Sequence, residues 1–216
     1  MIINADSASI PLKDDSVDLI IADPPYGINY QSARRTDRAQ WKPKILNDKT
    51  PCVAWIGEAA RVLHPAGAFI CFCRWDTAES FRSSIVRAGL LVRSQVIWDR
   101  EVRGMGNLKA SFGPCHDILW FATKGYFSFP AKRPKSVLRA KRLAGSQLDH
   151  PNQKPVDLML QLIEVLSFPN ALVLDPFVGS GTTGQAAKMM GRRFIGIDLD
   201  PKWARFSYNR LNGGEK

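Results

Sequence analysis

The chain is expected to fold as one α/β domain on an open, mostly parallel sheet with helices on both faces. Three observations lead there. The first is Val17-Asp18-Leu19-Ile20-Ile21-Ala22, an apolar run that ends abruptly in Asp23-Pro24-Pro25-Tyr26, the pattern of a buried strand entering a rigid loop. The second is a βαβ succession: an apolar strand over 171–175, a glycine-bearing turn over 176–181, a helix over 182–190 and a strand over 193–198. The third is length, since 216 residues build one substantial core without disulfides or metal.

Composition narrows the class of partner. With 45% hydrophobic and 23% charged residues the chain is ordinary globular material. Its 30 Lys+Arg against 20 Asp+Glu leave +10, which points to a polyanion. Nucleic acid is favoured over membrane, because no apolar run approaches the roughly 20 residues of a span and no signal-peptide pattern opens the chain. Cys52, Cys71, Cys73 and Cys115 have neither zinc-ribbon nor C-x-x-C spacing. Cys71 and Cys73 alternate along an apolar strand and so share one face. Reduced thiols in a cytoplasmic protein, with no metal, are the simplest account.

In chain order, Ile2-Ile3-Asn4 is a first short strand with Asp6 at its carboxyl end. The Asp23 strand follows. Residues 27–50 mix Arg34, Arg35 and Arg38 with Tyr30 and Trp41 and show no period, as a surface loop on a nucleic acid would. Thr50-Pro51 has the form of an N-cap with proline at the first helical position, so a helix is expected from there to about Leu63. Pro65 and Gly67 stop it, and 68–73 is a strand. A helix over 76–88 ending at Gly89, a strand over 90–98 and another over 117–122 come next.

From Gly125 to Gln147 there is no acidic residue, while Lys132, Arg133, Lys135 and Arg139 crowd behind Tyr126, Phe127 and Phe129. Charge of one sign repels itself unless an anion is near. A nucleic-acid contact element is expected over about 125–150, with a flexible basic surface insert as the plainer reading. Lys154-Pro155 opens a largely buried helix, and 201–211 closes the chain with another.

Two stretches carry chemistry. In Asp23-Pro24-Pro25-Tyr26 the prolines lack N–H groups, so the Asp23 carboxylate and the Pro24 carbonyl can face one spot, suited to an amine with two hydrogens to donate. Tyr26 adds a flat face for a base. An ordinary Pro-rich turn is the plainer alternative. Gly179-Ser180-Gly181-Thr182-Thr183-Gly184 matches G-x-G-x-x-G, with Asp198 where an acid would bond ribose hydroxyls. Alone this suggests a dinucleotide and a nicotinamide-dependent oxidoreductase. Against that, Asp175-Pro176 would set a like charge before a pyrophosphate, whereas an ammonium or a sulfonium tolerates the acid. With both stretches at strand ends, transfer from a cofactor to an amine fits them together.

Together these segments resemble the S-adenosylmethionine-dependent DNA amino-methyltransferases, specifically the permuted β group in which the catalytic motif precedes the cofactor motif. Asp23-Pro24-Pro25-Tyr26 resembles the catalytic motif, 175–183 the cofactor loop, Phe194 to Asp198 the ribose strand, and His150 to Val156 the segment over the methionine end. The resemblance runs nearly end to end. It implies a class I methyltransferase, Rossmann-like sheet with circularly permuted motif order. It implies that Asp23 and Pro24 bind the target NH2, that Tyr26 stacks the base, and that Asp6, Gln153, Lys154, Asp175, Phe177, Gly179, Ser180, Gly181, Thr182 and Asp198 surround S-adenosylmethionine. Asp198 stands where the family often has Glu, and His116-Asp117 where His-Glu is usual. Double-stranded DNA and a homodimer are the expected partners, within restriction-modification. Asp at the first motif position links to adenine N6. Cytosine N4 is the alternative, and an inactive nucleic-acid-binding protein is a reading from another class.

Overall fold

The computed structural model describes residues 1–27, 49–102, 104, 109–143 and 153–213. Eight strands form one sheet: β1 (Ile2–Asn4), β2 (Val17–Ala22), β3 (Leu63–Cys73), β4 (Leu91–Asp99), β5 (His116–Thr123), β6 (Val137–Arg139), β7 (Leu172–Asp175) and β8 (Arg193–Asp198). Their spatial order is β1-β8-β7-β2-β3-β5-β4-β6. All are parallel except β5, which runs antiparallel to both β3 and β4. The expected mostly parallel α/β sheet is present.

The period-two pattern of β2 and β3 divides the core. Val17, Ile20 and Ala22 of β2, with Phe69, Cys71 and Cys73 of β3, pack with α1 (Ile56–Val62) and α2 (Ala78–Arg87). Leu19 and Ile21, with Ala68, Ile70 and Phe72, pack on the other face with α3 (Val156–Leu166) and α4 (Thr182–Met189). A sheet covered on both faces explains why these strands are continuous apolar runs. The last helix, α5 (Pro201–Asn212), lies on β1 and β8, its start capped by Asp200 accepting from the Lys202 N–H. Both Cys71 and Cys73 are buried core residues.

Three expectations are corrected. The helix expected from Pro51 starts at Ile56 instead, with Trp55 at the cap position. Residues 50–52 are held elsewhere: the Cys52 N–H donates to the Pro25 carbonyl at 3.1 Å, and a Cβ on Gly27 would fall 2.2 Å from the Pro51 nitrogen. Strand β3 begins at Leu63, not Ala68. Leu63 pairs with Val17, and the ladder resumes only at Leu19 with Ala68, so 64–67 bulge out of register. Finally, Phe127 and Phe129 are not a contact surface. They pack on Phe121 of β5, with centroids 5.7 Å away in each case, and on one another at 5.2 Å. Their payload is core burial.

Candidate active site

Every parallel strand delivers its carboxyl end to the same edge of the sheet, the edge where open α/β sheets bind ligands. Strands β2 and β7 are neighbours, with Ile20 opposite Leu174, so the turns that follow Ala22 and Asp175 stand side by side. Strand β8 brings Asp198 next to them, and β1 brings Asp6 just beyond Asn4, which pairs with Asp198. The two informative stretches therefore meet.

On the β2 side both oxygens of Asp23 are engaged. The Tyr26 hydroxyl donates to Oδ1 at 2.5 Å, and the Lys154 ammonium donates to Oδ2. Burial, reinforced by the charges of Asp23 and Asp117, holds the Tyr26 phenol well above its ordinary pKa, so it stays a donor. Lys154 sits with its Nζ 5.0 Å from the Phe72 ring centroid and 5.9 Å from that of Tyr26, a cation against two π-faces. The Pro25 carbonyl is spent on Cys52, which fixes the loop from below. Lys154 thus contacts the Asp23 carboxylate, whereas the resemblance implies a place for this lysine at the cofactor. Gln153 is buried next to it in the chain.

On the β7 side Asp175 is buried, accepting from Thr183 Oγ1 at 2.6 Å and from the Phe177 N–H at 3.0 Å. Burial outweighs these bonds and raises its pKa to about 7. Asp198 accepts from the Gly179 N–H at 2.9 Å and the Asp200 N–H at 3.0 Å, and burial raises its pKa also. Gly181, at φ +80°, is the left-handed cap of α4, where a Cβ would lie 3.1 Å from the Ser207 Cβ. Ser180 and Thr182 share a hydroxyl contact at 3.2 Å. Residues that carried no sequence signal complete this half: the Ser7 hydroxyl donates to the Pro176 carbonyl, and Trp55 meets Phe177 edge-on at 5.2 Å.

These residues fit a cationic ligand with a sugar and a base. Asp175, Asp198 and exposed Asp6 supply negative charge, the glycine turn admits close approach, and Phe177 against Trp55 offers an apolar wall. A pyrophosphate would meet three acids.

The DNA methylase family model matches residues 17–209. YubD of Escherichia coli (strain K12), a putative methylase, is 34% identical over 202 residues, covering 91% of this chain and 82% of that protein. Type II methyltransferase M2.LlaDCHI of Lactococcus lactis subsp. cremoris is 28% identical over 245 residues, covering 99% of this chain and 90% of its own. The M1.HpyAVI complex with SAM superposes with a TM-score of 0.69 at 26% identity, covering 91% of this chain and 89% of that one. The chain belongs to the DNA methylase family of S-adenosylmethionine-dependent amino-methyltransferases. Its cofactor is S-adenosylmethionine, and its substrate is an amino group, adenine N6 or cytosine N4, in DNA.

The basic residues fall into two groups. Arg139 pairs in register with Asp99 at the carboxyl end of β4, so Arg139, Lys141 and Arg142 stand at the carboxyl edge of the sheet by its outermost strand, all three exposed. Lys132, Arg133 and Lys135 precede β6 and lie further down the sheet edge. Arg34, Arg35 and Arg38, and His150 to Asn152 of the closing segment, lie outside the described residues.

Proposed function

We propose that this methyltransferase modifies the exocyclic N6 of an adenine extruded from double-stranded DNA, with Asp23 and the Pro24 carbonyl as the two acceptors of the amine hydrogens. The observation that carries this reading is the adjacency of the Asp23 turn and the Asp175 turn on neighbouring strands. An exocyclic amine is a poor nucleophile because its lone pair is shared with the ring. Two acceptors on its hydrogens favour a pyramidal nitrogen, return the lone pair and stabilise the positive charge that develops there.

When bound, S-adenosylmethionine supplies a methyl group on a sulfonium, so the nitrogen lone pair forms the N–C bond as the C–S pair returns to sulfur. Asp23 holds the hydrogen that must leave the methylated nitrogen, and passes it to water. Oδ2 has a second lone pair, so it accepts from the amine beside the Lys154 ammonium. Tyr26 keeps Oδ1 and orients the carboxylate. Its ring, at the margin of both apolar clusters, is the stacking face for the extruded base, which compensates part of the lost duplex stacking. Asp6, Gln153, Asp175, Phe177, Gly179, Ser180, Gly181, Thr182 and Asp198 form the cofactor side, and the basic rim meets the phosphates.

The target base is read directly by incubating the protein with tritiated S-adenosylmethionine and unmethylated DNA, digesting to nucleosides and identifying the product by mass spectrometry. N6-methyladenine is the expected product. N4-methylcytosine would move the assignment to the other amine.

A further inference from the structure

The residue before α1 does nothing for the helix it precedes. Trp55 occupies the cap position, where a short side chain with an acceptor oxygen usually satisfies the first N–H groups, and its indole makes no capping bond. An indole nitrogen can only donate. Here it donates backwards along the chain, from Nε1 to the Cys52 carbonyl at 2.9 Å. The Cys52 N–H in turn donates to the Pro25 carbonyl at 3.1 Å, so two hydrogen bonds join Trp55 to the loop that carries Asp23. Gly27 makes that approach possible, since only a residue without a Cβ leaves room for the Pro51 nitrogen.

The same ring meets the cofactor turn. Trp55 is 1% exposed and lies against Phe69 of β3, with centroids 5.6 Å apart and planes 20° apart. It meets Phe177 at 82°, with centroids 5.2 Å apart. Stacked and edge-on pairs of this kind fix ring orientation. Phe177 is itself tethered, its N–H donating to Asp175 Oδ1 at 3.0 Å. One indole therefore touches both turns, the Asp175 turn through Phe177 and the Asp23 turn through Cys52. Pairing of β2 with β7 sets the two strand ends side by side but leaves the loops beyond them to be fixed by other contacts. Trp55 supplies one.

We propose that Trp55 is a positioning residue for methyl transfer, holding the Asp23 turn at its working distance from the cofactor turn. The inference rests on Asp23 as acceptor of the target amine, whichever base bears it. Trp55 acts through Cys52 and Phe177 rather than on the reacting atoms. A misplacement of about 1 Å can cost on the order of 100-fold in rate, so loosening one of the two ties should be felt in the transfer step and not in the binding of cofactor.

The test is single-turnover methyl transfer to unmethylated DNA by the full chain at saturating S-adenosylmethionine, with cofactor affinity and melting temperature measured in parallel. Trp55→Phe keeps an aromatic ring and removes the donor. Trp120→Phe is the matched control, because Trp120 Nε1 also donates to a backbone carbonyl, that of Ala78 at 2.9 Å, and packs on the same side of the sheet as Trp55. Trp55→Phe should slow transfer by about 10-fold with cofactor affinity within a few-fold of wild type, whereas Trp120→Phe should transfer at the wild-type rate. Should Trp55→Phe fail to fold, benzothienylalanine at position 55, which keeps the shape of the indole and replaces its N–H by sulfur, should show the same loss. A rate within twofold of wild type in the folded position-55 variant, or an equal loss in Trp120→Phe, overturns the inference. Wild-type inactivity on DNA, or an Asp23→Asn variant as fast as wild type, would instead overturn the reading it rests on.

Discussion

Lys154, from the residue pair that opens α3, and Asp23, from the turn after β2, are ion-paired although 131 residues separate them in the chain. The side chains are only 11% and 23% exposed, so the contact is shielded from solvent and salt. It takes one of the two lone pairs on Oδ2 and leaves the other to an incoming amine. Removing one partner of a shielded pair leaves the other charge uncompensated. Lys154→Ala should therefore lower the melting temperature, whereas Lys154→Arg, which keeps the cation, should stay closer to wild type. An unchanged melting temperature in Lys154→Ala would show that the pair does not hold the Asp23 turn.

Asp175 sets a pH dependence of stability. Its carboxyl is raised from 3.8 to about 7, so between those values the folded state binds more protons than the unfolded state. Stability contributed by this group is then present at low pH and falls away as pH rises to about 7. Chemical denaturation of wild type and Asp175→Asn across pH 4 to 8 should show the wild type losing ground to the variant with rising pH. A constant difference would remove the assignment. A cation entering the site favours the ionised carboxylate, so cofactor affinity should rise with pH up to about 7 in the wild type and less steeply in Asp175→Asn, which keeps the raised carboxyl of Asp198.

The division of the basic residues makes another prediction. Removing one phosphate-binding cation lowers the slope of log affinity against log salt by about 0.9. Arg139→Ala with Lys141→Ala and Arg142→Ala should flatten the slope for DNA by about 2 to 3. The triple variant at Lys132, Arg133 and Lys135, lower on the sheet edge, should change it less. A larger effect from the second set would place the duplex along the side of the sheet.

Gly181→Ala tests the cofactor turn. The residue is at φ +80° and a Cβ would press on Ser207 at 3.1 Å, so the substitution should destabilise by about 1–2 kcal/mol and weaken cofactor binding. Thermal melting and calorimetric titration read the two effects separately.

Much of this architecture is legible in the chain because the sheet is buried on both faces. A continuous apolar run such as Val17–Ala22 suits a central strand, and the glycine turn before Thr182 suits a tight passage from strand to helix. The start of α1 was not legible, since Pro51 looks like a helix opener until Gly27 and Pro25 are seen to hold its neighbourhood. Phe127 and Phe129 lie among basic residues in sequence, yet belong to the core once β6 folds back beside β4. Similarly, no local pattern ties Lys154 to Asp23. Such pairs are decided by the order of strands, which composition and spacing do not encode.

The account turns on the Asp23 carboxylate accepting from the target amine beside the cofactor turn. Single-turnover methyl transfer by Asp23→Asn, with cofactor affinity measured in parallel, tests it most directly. A drop of about 100-fold or more in rate with cofactor affinity within a few-fold of wild type is the predicted result, and a rate within a few-fold of wild type would contradict it.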